Sequence, residues 1–220
     1  MASSTPRSRA VFLDRDGVLV PDASLEDQLR SAVTSPPETT ARVGEAQRVA
    51  NHRSLSPGVS EAIAELNTAG WLVVVVTNQP AVARGWITES DVIAYHQELD
   101  RQVQAAGGRI EGFFYCPHHP NADLPDYRVA CECRKPRPGM LLQAADIHGI
   151  DLARSVMVGD RITDIEAGQR AGCAFTILVE SGMHTAPRIT ADAALLDVEP
   201  DARVSDLRAA IRVITERFGS

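Results

Sequence analysis

The chain has 220 residues and sets 22 Lys and Arg against 29 Asp and Glu, a formal charge of −7 at pH 7. With 44% hydrophobic and 23% charged residues it is neither disordered nor fibrous in composition, and a chain of this length buries roughly 70% of its unfolded surface without a disulfide framework. An acidic chain with no basic block is unsuited to nucleic acid or to an anionic membrane, both of which need a positive stripe, so the expected partner is a small molecule.

The opening MASSTPRSRAVFLD has only a short apolar run, Ala10 to Leu13, before Asp14, too little for a signal-peptide core. The longest apolar run, Trp71 to Val76, is far below the ~20 residues of a membrane span. A cytoplasmic protein is expected, where cysteines stay reduced and clustered ones bind metal. In chain order, short Val- and Ile-rich runs predict strands at 10–13, 71–76, 113–115, 155–158 and 175–179. Between them, helical spacing predicts helices at 57–69, 89–105, 139–148 and 164–171, with Thr88 and Thr163 as N-caps. Alternation of this kind describes an α/β fold with a doubly wound parallel sheet. Residues 21–56 break the alternation, with Pro36-Pro37 and no strand-like run, and read as an insertion: a surface excursion or a lid. The chain is expected to form a single domain over 1–220, with that insertion and a metal-binding loop at 116–133.

Asp14-Arg15-Asp16-Gly17-Val18 directly follows the first strand. Residues two apart on an extended backbone share a side, so Asp14 and Asp16 should face one site while Arg15 faces away. Two adjacent carboxyl groups suit divided labour, one ionised as nucleophile or metal ligand and the other carrying a proton. The second strand runs into Thr77-Asn78-Gln79 and the fourth into Gly159-Asp160-Arg161, with Asp164 following. Ligands in open α/β sheets bind at the carboxyl ends of the strands where strand order reverses, so Asp14, Asp16, Thr77 and Asp160 can converge. Asp14 and Asp160 are oxygen ligands of the kind Mg²⁺ takes. Each residue alone also fits an ordinary turn; their convergence is the functional signal.

Cys116-Pro117-His118-His119 precedes Cys131-Glu132-Cys133, with twelve residues between His118 and Cys131. Cys116, His118, Cys131 and Cys133 would close a tetrahedral Zn²⁺ shell with no open position, a structural site, and His119 is an alternative ligand. Cys173 stands apart as a core residue. Arg134-Lys135 follows the last thiol, and Lys135 is the sole lysine of the chain. A compact ammonium retained where arginine is used everywhere else fits neutralisation of a transferring phosphoryl group, leaving Arg134 to grip a second anionic group.

DRDGV, the strand ending in TN, Lys135 and GDRITD together resemble the HAD (haloacid dehalogenase-like) phosphatases. VFLDRDGV, VVVTNQ, CPHH, CECRKPRPGM and MVGDRITD more narrowly resemble the D-glycero-D-manno-heptose 1,7-bisphosphate phosphatases, over residues 10–20 and 56–179. Related histidinol-phosphate phosphatases have a shorter gap in the zinc loop. The resemblance implies a HAD-like fold without a large cap domain and a Mg²⁺-dependent phosphatase with structural Zn²⁺. In it Asp14 is the nucleophile and Asp16 the general acid and base. Mg²⁺ is held by Asp14, Asp160 and the backbone carbonyl of Asp16, with Asp164 in support, and Thr77 and Lys135 bind the phosphoryl group. Arg15, Asn78, Gln79, Arg134 and Arg161 are implied as substrate contacts. The implied substrate is a sugar phosphate, the C7 phosphate of a heptose bisphosphate, and the implied state is a monomer. Histidinol phosphate or another small phosphomonoester is the alternative substrate, and a phospho-receiver-like signalling domain the non-enzymatic alternative. The chain departs from the family at residues 21–56, and at Pro80-Ala81-Val82, which should stiffen a segment flexible in the family.

Overall fold

A computed structural model describes residues 8–21, 54–180 and 198–219. Strands β1 (Ala10–Leu13), β2 (Leu72–Asn78), β3 (Gly112–Cys116), β4 (Val156–Gly159), β5 (Phe175–Val179) and β6 (Ala202–Val204) form one sheet in the order β3-β2-β1-β4-β5-β6. Every pairing is parallel. Helices α1 (Val59–Thr68), α2 (Pro80–Ala83), α3 (Glu89–Ala105), α4 (Gly139–His148), α5 (Ile162–Ala171) and α6 (Leu207–Phe218) connect and cover the strands. The expected doubly wound α/β sheet is therefore what the chain forms. Of the insertion expected at 21–56, all but Pro21 and residues 54–56 lies outside the described residues.

The sheet is covered on both faces, which is why its strands read as unbroken apolar runs rather than as alternating ones. Val11 and Leu13 of β1, with Val73 and Val75 of β2, pack under α1, α3 and α6 through Ile63, Leu66, Leu99 and Ile211. Ala10 and Phe12, with Val74 and Val76, pack on the other face against Met140, Leu141 and Ala144 of α4 and Ala167 of α5. Strand order runs outward one way through β1, β2 and β3 and the other way through β4, β5 and β6. The carboxyl ends of β1, β2 and β4 thus lie side by side at the reversal, the crevice where parallel sheets bind ligands.

Besides two short 3₁₀ turns, Pro125–Tyr127 and Leu152–Arg154, three elements were not among those expected. α2 is a single turn started by Pro80 at a position where the missing N–H costs nothing, so the stiffening residues of this segment build a helix. β6 is a short edge strand. α6 carries Leu207, Ala210, Ile211 and Ile214 at helical spacing behind an Asp206 cap that accepts from Ala209 N at 2.8 Å, a signal already present in the sequence. The N-cap expected at Thr163 falls instead on Arg161. Asp164 sits at the third helical position and its carboxylate accepts the Arg161 backbone N–H at 3.0 Å, which draws the helix start two residues earlier. Thr88 caps α3 as expected, in a reciprocal box with Asp91. No helix among the described residues is long and apolar enough to cross a membrane.

α3 also buries a histidine. His96 is 4% exposed and stacks on Phe113 with ring centroids 4.6 Å apart. Burial, reinforced by the nearby Arg15 charge and opposed by Asp16, pushes its pKa down to about 3 from an ordinary 6.5. Below pH 6.5 the unfolded chain protonates this side chain while the folded chain does not, so stability is lost as pH falls from about 6.5 toward 3. The contribution is a slope of about 1.4 kcal/mol per pH unit from one such proton. Chemical unfolding at stepped pH should show this acid sensitivity flattened in His96→Gln. In the core, Leu99→Ala should cost about 2–5 kcal/mol in urea unfolding. Ile147→Ala, at a position 61% exposed, should change stability by less than about 0.5 kcal/mol.

Candidate active site

The crevice begins where β1 ends. Asp14 N donates to Val158 O of β4 at 2.9 Å, extending the sheet by one residue, and the chain then turns back so that Gly17 N meets Val20 O at 2.9 Å. Gly17 has φ +84°, and a Cβ there would collide with the carboxylate of Asp160. A Cβ at Gly159 would collide with the Asp164 side chain in the same way. The two glycines let the backbone close in around acidic groups. Asp14, Asp160 and Asp164 each offer a carboxylate oxygen, and these lie within 4.8 Å of one another.

Lys135 closes the cluster from the side. Its Nζ lies 2.9 Å from Asp14 Oδ1 and 2.6 Å from Asp164 Oδ1, and it donates to Val76 O at 2.7 Å. It is only 3% exposed. Burial alone would lower its pKa, but the charges of Asp14 and Asp164 outweigh that and hold it above the ordinary value. Asp14 is pushed up to about 6, because burial and the neighbouring Asp164 and Asp16 charges outweigh the attraction of Lys135. Three converging carboxylates against one ammonium leave negative charge in excess, and the donors are all hard oxygens. Such a set fits a Mg²⁺ ion and not a soft metal.

The residues expected to touch substrate divide into two groups. Asn78 Nδ2 donates to Lys135 O at 3.1 Å and its Oδ1 accepts Lys135 N at 3.1 Å, so its amide clamps the backbone that carries the lysine. Gln79 Nε2 donates to Thr77 Oγ1 at 2.8 Å and to Asp16 Oδ2 at 3.0 Å. Arg15, expected to face away from the carboxyl groups, instead folds its guanidinium back onto Asp16 Oδ2 at 2.8 Å, because the strand ends at Leu13 and two-residue alternation stops with it. Arg15 is 5% exposed and enclosed by His96 and the Tyr95 ring. By contrast Arg134 is half-buried and donates to His118 O at 3.1 Å within the cysteine loop, and Arg161, with a side chain 42% exposed, lies 3.8 Å from Asp160 at the edge of the cluster. Asp164 was expected only as indirect support, and its carboxylate is a full member of the acidic cluster. His96 was not expected at all, since nothing about a histidine in a helix signals that it will lie behind the first motif.

The cysteine loop forms a second centre. Cys133 Sγ lies 3.1 Å from Cys116 Sγ and 3.2 Å from Cys131 Sγ, with Cys116 and Cys131 3.5 Å apart. His118 Nδ1 lies 3.4 Å from Cys133 Sγ and 3.7 Å from Cys116 Sγ. Four ligands bound at about 2.0–2.3 Å in a tetrahedron lie roughly 3.3–3.8 Å apart; the Cys116–Cys131 and His118 distances fall in that range and the two thiol contacts of Cys133 fall just below it, so three thiols and one imidazole converge as a closed Zn²⁺ site needs. The hydrogen bond between Cys116 and Cys133 pulls Cys133 down and, together with burial, pushes Cys116 up, so the first proton of the thiol cluster leaves from Cys133. His118 supplies the imidazole; the alternative, His119, accepts instead from Asn121 N at 3.1 Å. Cys173 lies apart, packed against the α4–α5 side of the core.

Comparison with known proteins places this geometry in a family. Residues 132–210 match the HAD-hydrolase-like family model. The chain is 40% identical over 172 residues to the D-glycero-β-D-manno-heptose-1,7-bisphosphate 7-phosphatase of Rhodopseudomonas palustris, covering 78% of this chain and 84% of that protein. It is 36% identical over 187 residues to the enzyme of the same name from Escherichia coli K12, covering 85% of each. The solved structure of D,D-heptose 1,7-bisphosphate phosphatase from B. bronchiseptica, complexed with magnesium and phosphate, superposes with a TM-score of 0.67 at 30% identity, over 95% of this chain and 99% of that one. The chain belongs to the heptose-1,7-bisphosphate 7-phosphatase family of HAD-like hydrolases.

Proposed function

We propose that this protein is a Mg²⁺-dependent phosphatase that removes the C7 phosphate of D-glycero-β-D-manno-heptose 1,7-bisphosphate. The observation that carries the reading is the convergence of Asp14, Asp160 and Asp164 around Lys135 at the sheet reversal, in a chain 40% identical to an enzyme named for that reaction. The β anomer follows the names of the relatives.

In this reading Asp14 attacks phosphorus through a carboxylate oxygen, the bond from phosphorus to the C7 oxygen breaks, and Asp16 gives that oxygen its proton. Water then attacks the aspartyl-phosphate and surrenders a proton to Asp16; the bond between Asp14 and phosphorus breaks and phosphate leaves. Lys135 and Thr77 face the phosphoryl oxygens, Lys135 exchanging a carboxylate partner for one of them. Asp14, Asp160 and the Asp16 carbonyl, with Asp164 behind, would hold Mg²⁺, which supplies charge neutralisation at the phosphoryl oxygens. Arg134, between Cys133 and Lys135, and the exposed Arg161 are the groups suited to the phosphate that stays on the sugar. The amides of Asn78 and Gln79 and the Arg15 guanidinium, each bonded to a neighbouring group of the chain, serve better as internal supports than as substrate contacts. Cys116, His118, Cys131 and Cys133 would hold a structural Zn²⁺, which would fix the loop that carries Arg134 and Lys135. The enzyme acts as a cytoplasmic monomer.

Phosphate release should be fast with the β anomer of the bisphosphate and Mg²⁺, slower with the α anomer, and slowest with histidinol phosphate. Asp14→Asn should remove all turnover; activity retained in that variant would exclude Asp14 as nucleophile, and a preference for histidinol phosphate would exclude the substrate. Metal analysis should find stoichiometric zinc in the purified protein and its loss in Cys133→Ser. That variant should also lose activity and melt earlier, whereas chelation of Mg²⁺ alone should stop turnover without releasing zinc.

A further inference from the structure

Asp16 carries the most exacting task in the proposed reaction, because one carboxyl group has to meet first the leaving oxygen and then a water. Its Oδ2 accepts from Arg15 Nη2 at 2.8 Å and from Gln79 Nε2 at 3.0 Å. Both donors are buried, at 5% and 4% exposure, and both are held from behind. Gln79 is tied to Thr77 Oγ1 at the end of β2. Arg15 Nη1 lies 3.2 Å from His96 Nε2, its guanidinium carbon sits 5.1 Å from the Tyr95 ring centroid, and His96 is fixed by its stack on Phe113. A guanidinium has only donors, so the contact with His96 is a hydrogen bond when Nε2 presents its lone pair and the proton sits on Nδ1. Burial and Arg15 keep the ring in that uncharged form. The nucleophile cluster does not require any of these contacts: Lys135, Asp14 and Asp164 are joined without them.

We propose that Arg15, Gln79 and His96 form a positioning relay for Asp16, in which Arg15 and Gln79 hold Oδ2 and His96 holds Arg15 from helix α3. The inference rests on the reading of Asp16 as general acid and base. Two consequences follow from the geometry. With Oδ2 held by two donors, the proton to be transferred is carried on Oδ1. As that proton moves to the leaving oxygen, negative charge appears on a carboxylate already faced by a guanidinium and an amide, so no reorganisation is needed when the charge forms. The relay makes and breaks no covalent bond; the proton passes from Asp16 to the leaving oxygen and later from water to Asp16. These are positioning residues, and their effect should follow the demand for that proton.

The test uses kcat/KM, which reports the steps through aspartyl-phosphate formation, on two substrates. One is the preferred sugar phosphate, whose alkoxide must be protonated to leave; the other is p-nitrophenyl phosphate, whose phenolate leaves without a proton. Arg15→Met and His96→Leu should lower kcat/KM for the sugar phosphate by about 10²-fold, through kcat with KM little changed, and for the aryl phosphate by less than about 5-fold. Gln79→Leu should act in the same direction. His96→Gln, whose amide oxygen still accepts from Arg15, should recover most of the wild-type rate. Equal losses on both substrates, no loss on either, or failure of His96→Gln to recover what His96→Leu loses would overturn the relay. Asp16→Asn is measured beside them. If it lacks the same leaving-group dependence, the acid-base reading of Asp16 falls, and the relay with it. Should Arg15→Met not fold, the comparison of His96→Leu with His96→Gln decides the question alone, because both leave Arg15 in place.

Discussion

Negative charge gathered in a buried crevice is the constraint around which the rest of this protein is arranged. Asp14, Asp160 and Asp164 converge within 4.8 Å, and what permits two of them to be buried together is the Lys135 ammonium set between Asp14 and Asp164. Removing one partner of a buried ion pair costs about 3–5 kcal/mol because the other charge is left stranded. The cluster therefore stands or falls as a unit. Its remaining excess of negative charge makes it a receptor for a divalent cation and, through the cation, for a phosphoryl group.

Aiming that ammonium is the work of elements remote from it in sequence. Lys135 lies two residues beyond Cys133, whose thiol meets the thiol of Cys116 at the end of β3 at 3.1 Å. The metal-ligand cluster thus joins the end of an edge strand to the segment that bears the lysine. From the neighbouring strand the Asn78 amide engages both backbone groups of Lys135. A flexible four-carbon side chain becomes a fixed charge because its backbone is held on two sides and its ammonium reaches three oxygen atoms. The zinc-type loop is accordingly part of the electrostatics of the crevice, although none of its four ligand residues belongs to the acidic cluster.

The turn after β1 carries the second carboxyl group, and a different set of neighbours holds it. Arg15 and Gln79 converge on Asp16, and α3 contributes His96 and Tyr95 behind them. The two carboxyl groups of one short motif are thereby given unlike surroundings. Asp14 faces an ammonium and other carboxylates, and Asp16 faces a guanidinium and an amide. Unlike surroundings are what two adjacent acids need if one is to act as nucleophile and the other as proton carrier.

The apolar runs at β1 and β5 and the helices α3 and α4 were legible to the residue, since a strand buried on both faces and an amphipathic helix each leave a local periodic pattern. The meeting of Asp14 with Asp160 was legible too, because a sheet reversal collects the polar groups that directly follow its strands. What sequence order could not express was direction. Arg15 was expected to turn away from its neighbours and folds onto Asp16; Asn78 and Gln79 were expected as substrate contacts, and their amides engage Lys135 and Asp16; Asp164 was expected as support and stands in the cluster itself. Each of these outcomes depends on what another segment, tens of residues away, brings to the same point. The sequence by itself determined which groups arrive at the crevice, because strand ends and turns are local events. Only the tertiary structure decided which of them pair with one another, because the pairing is set by desolvated charge finding its partners across the sheet.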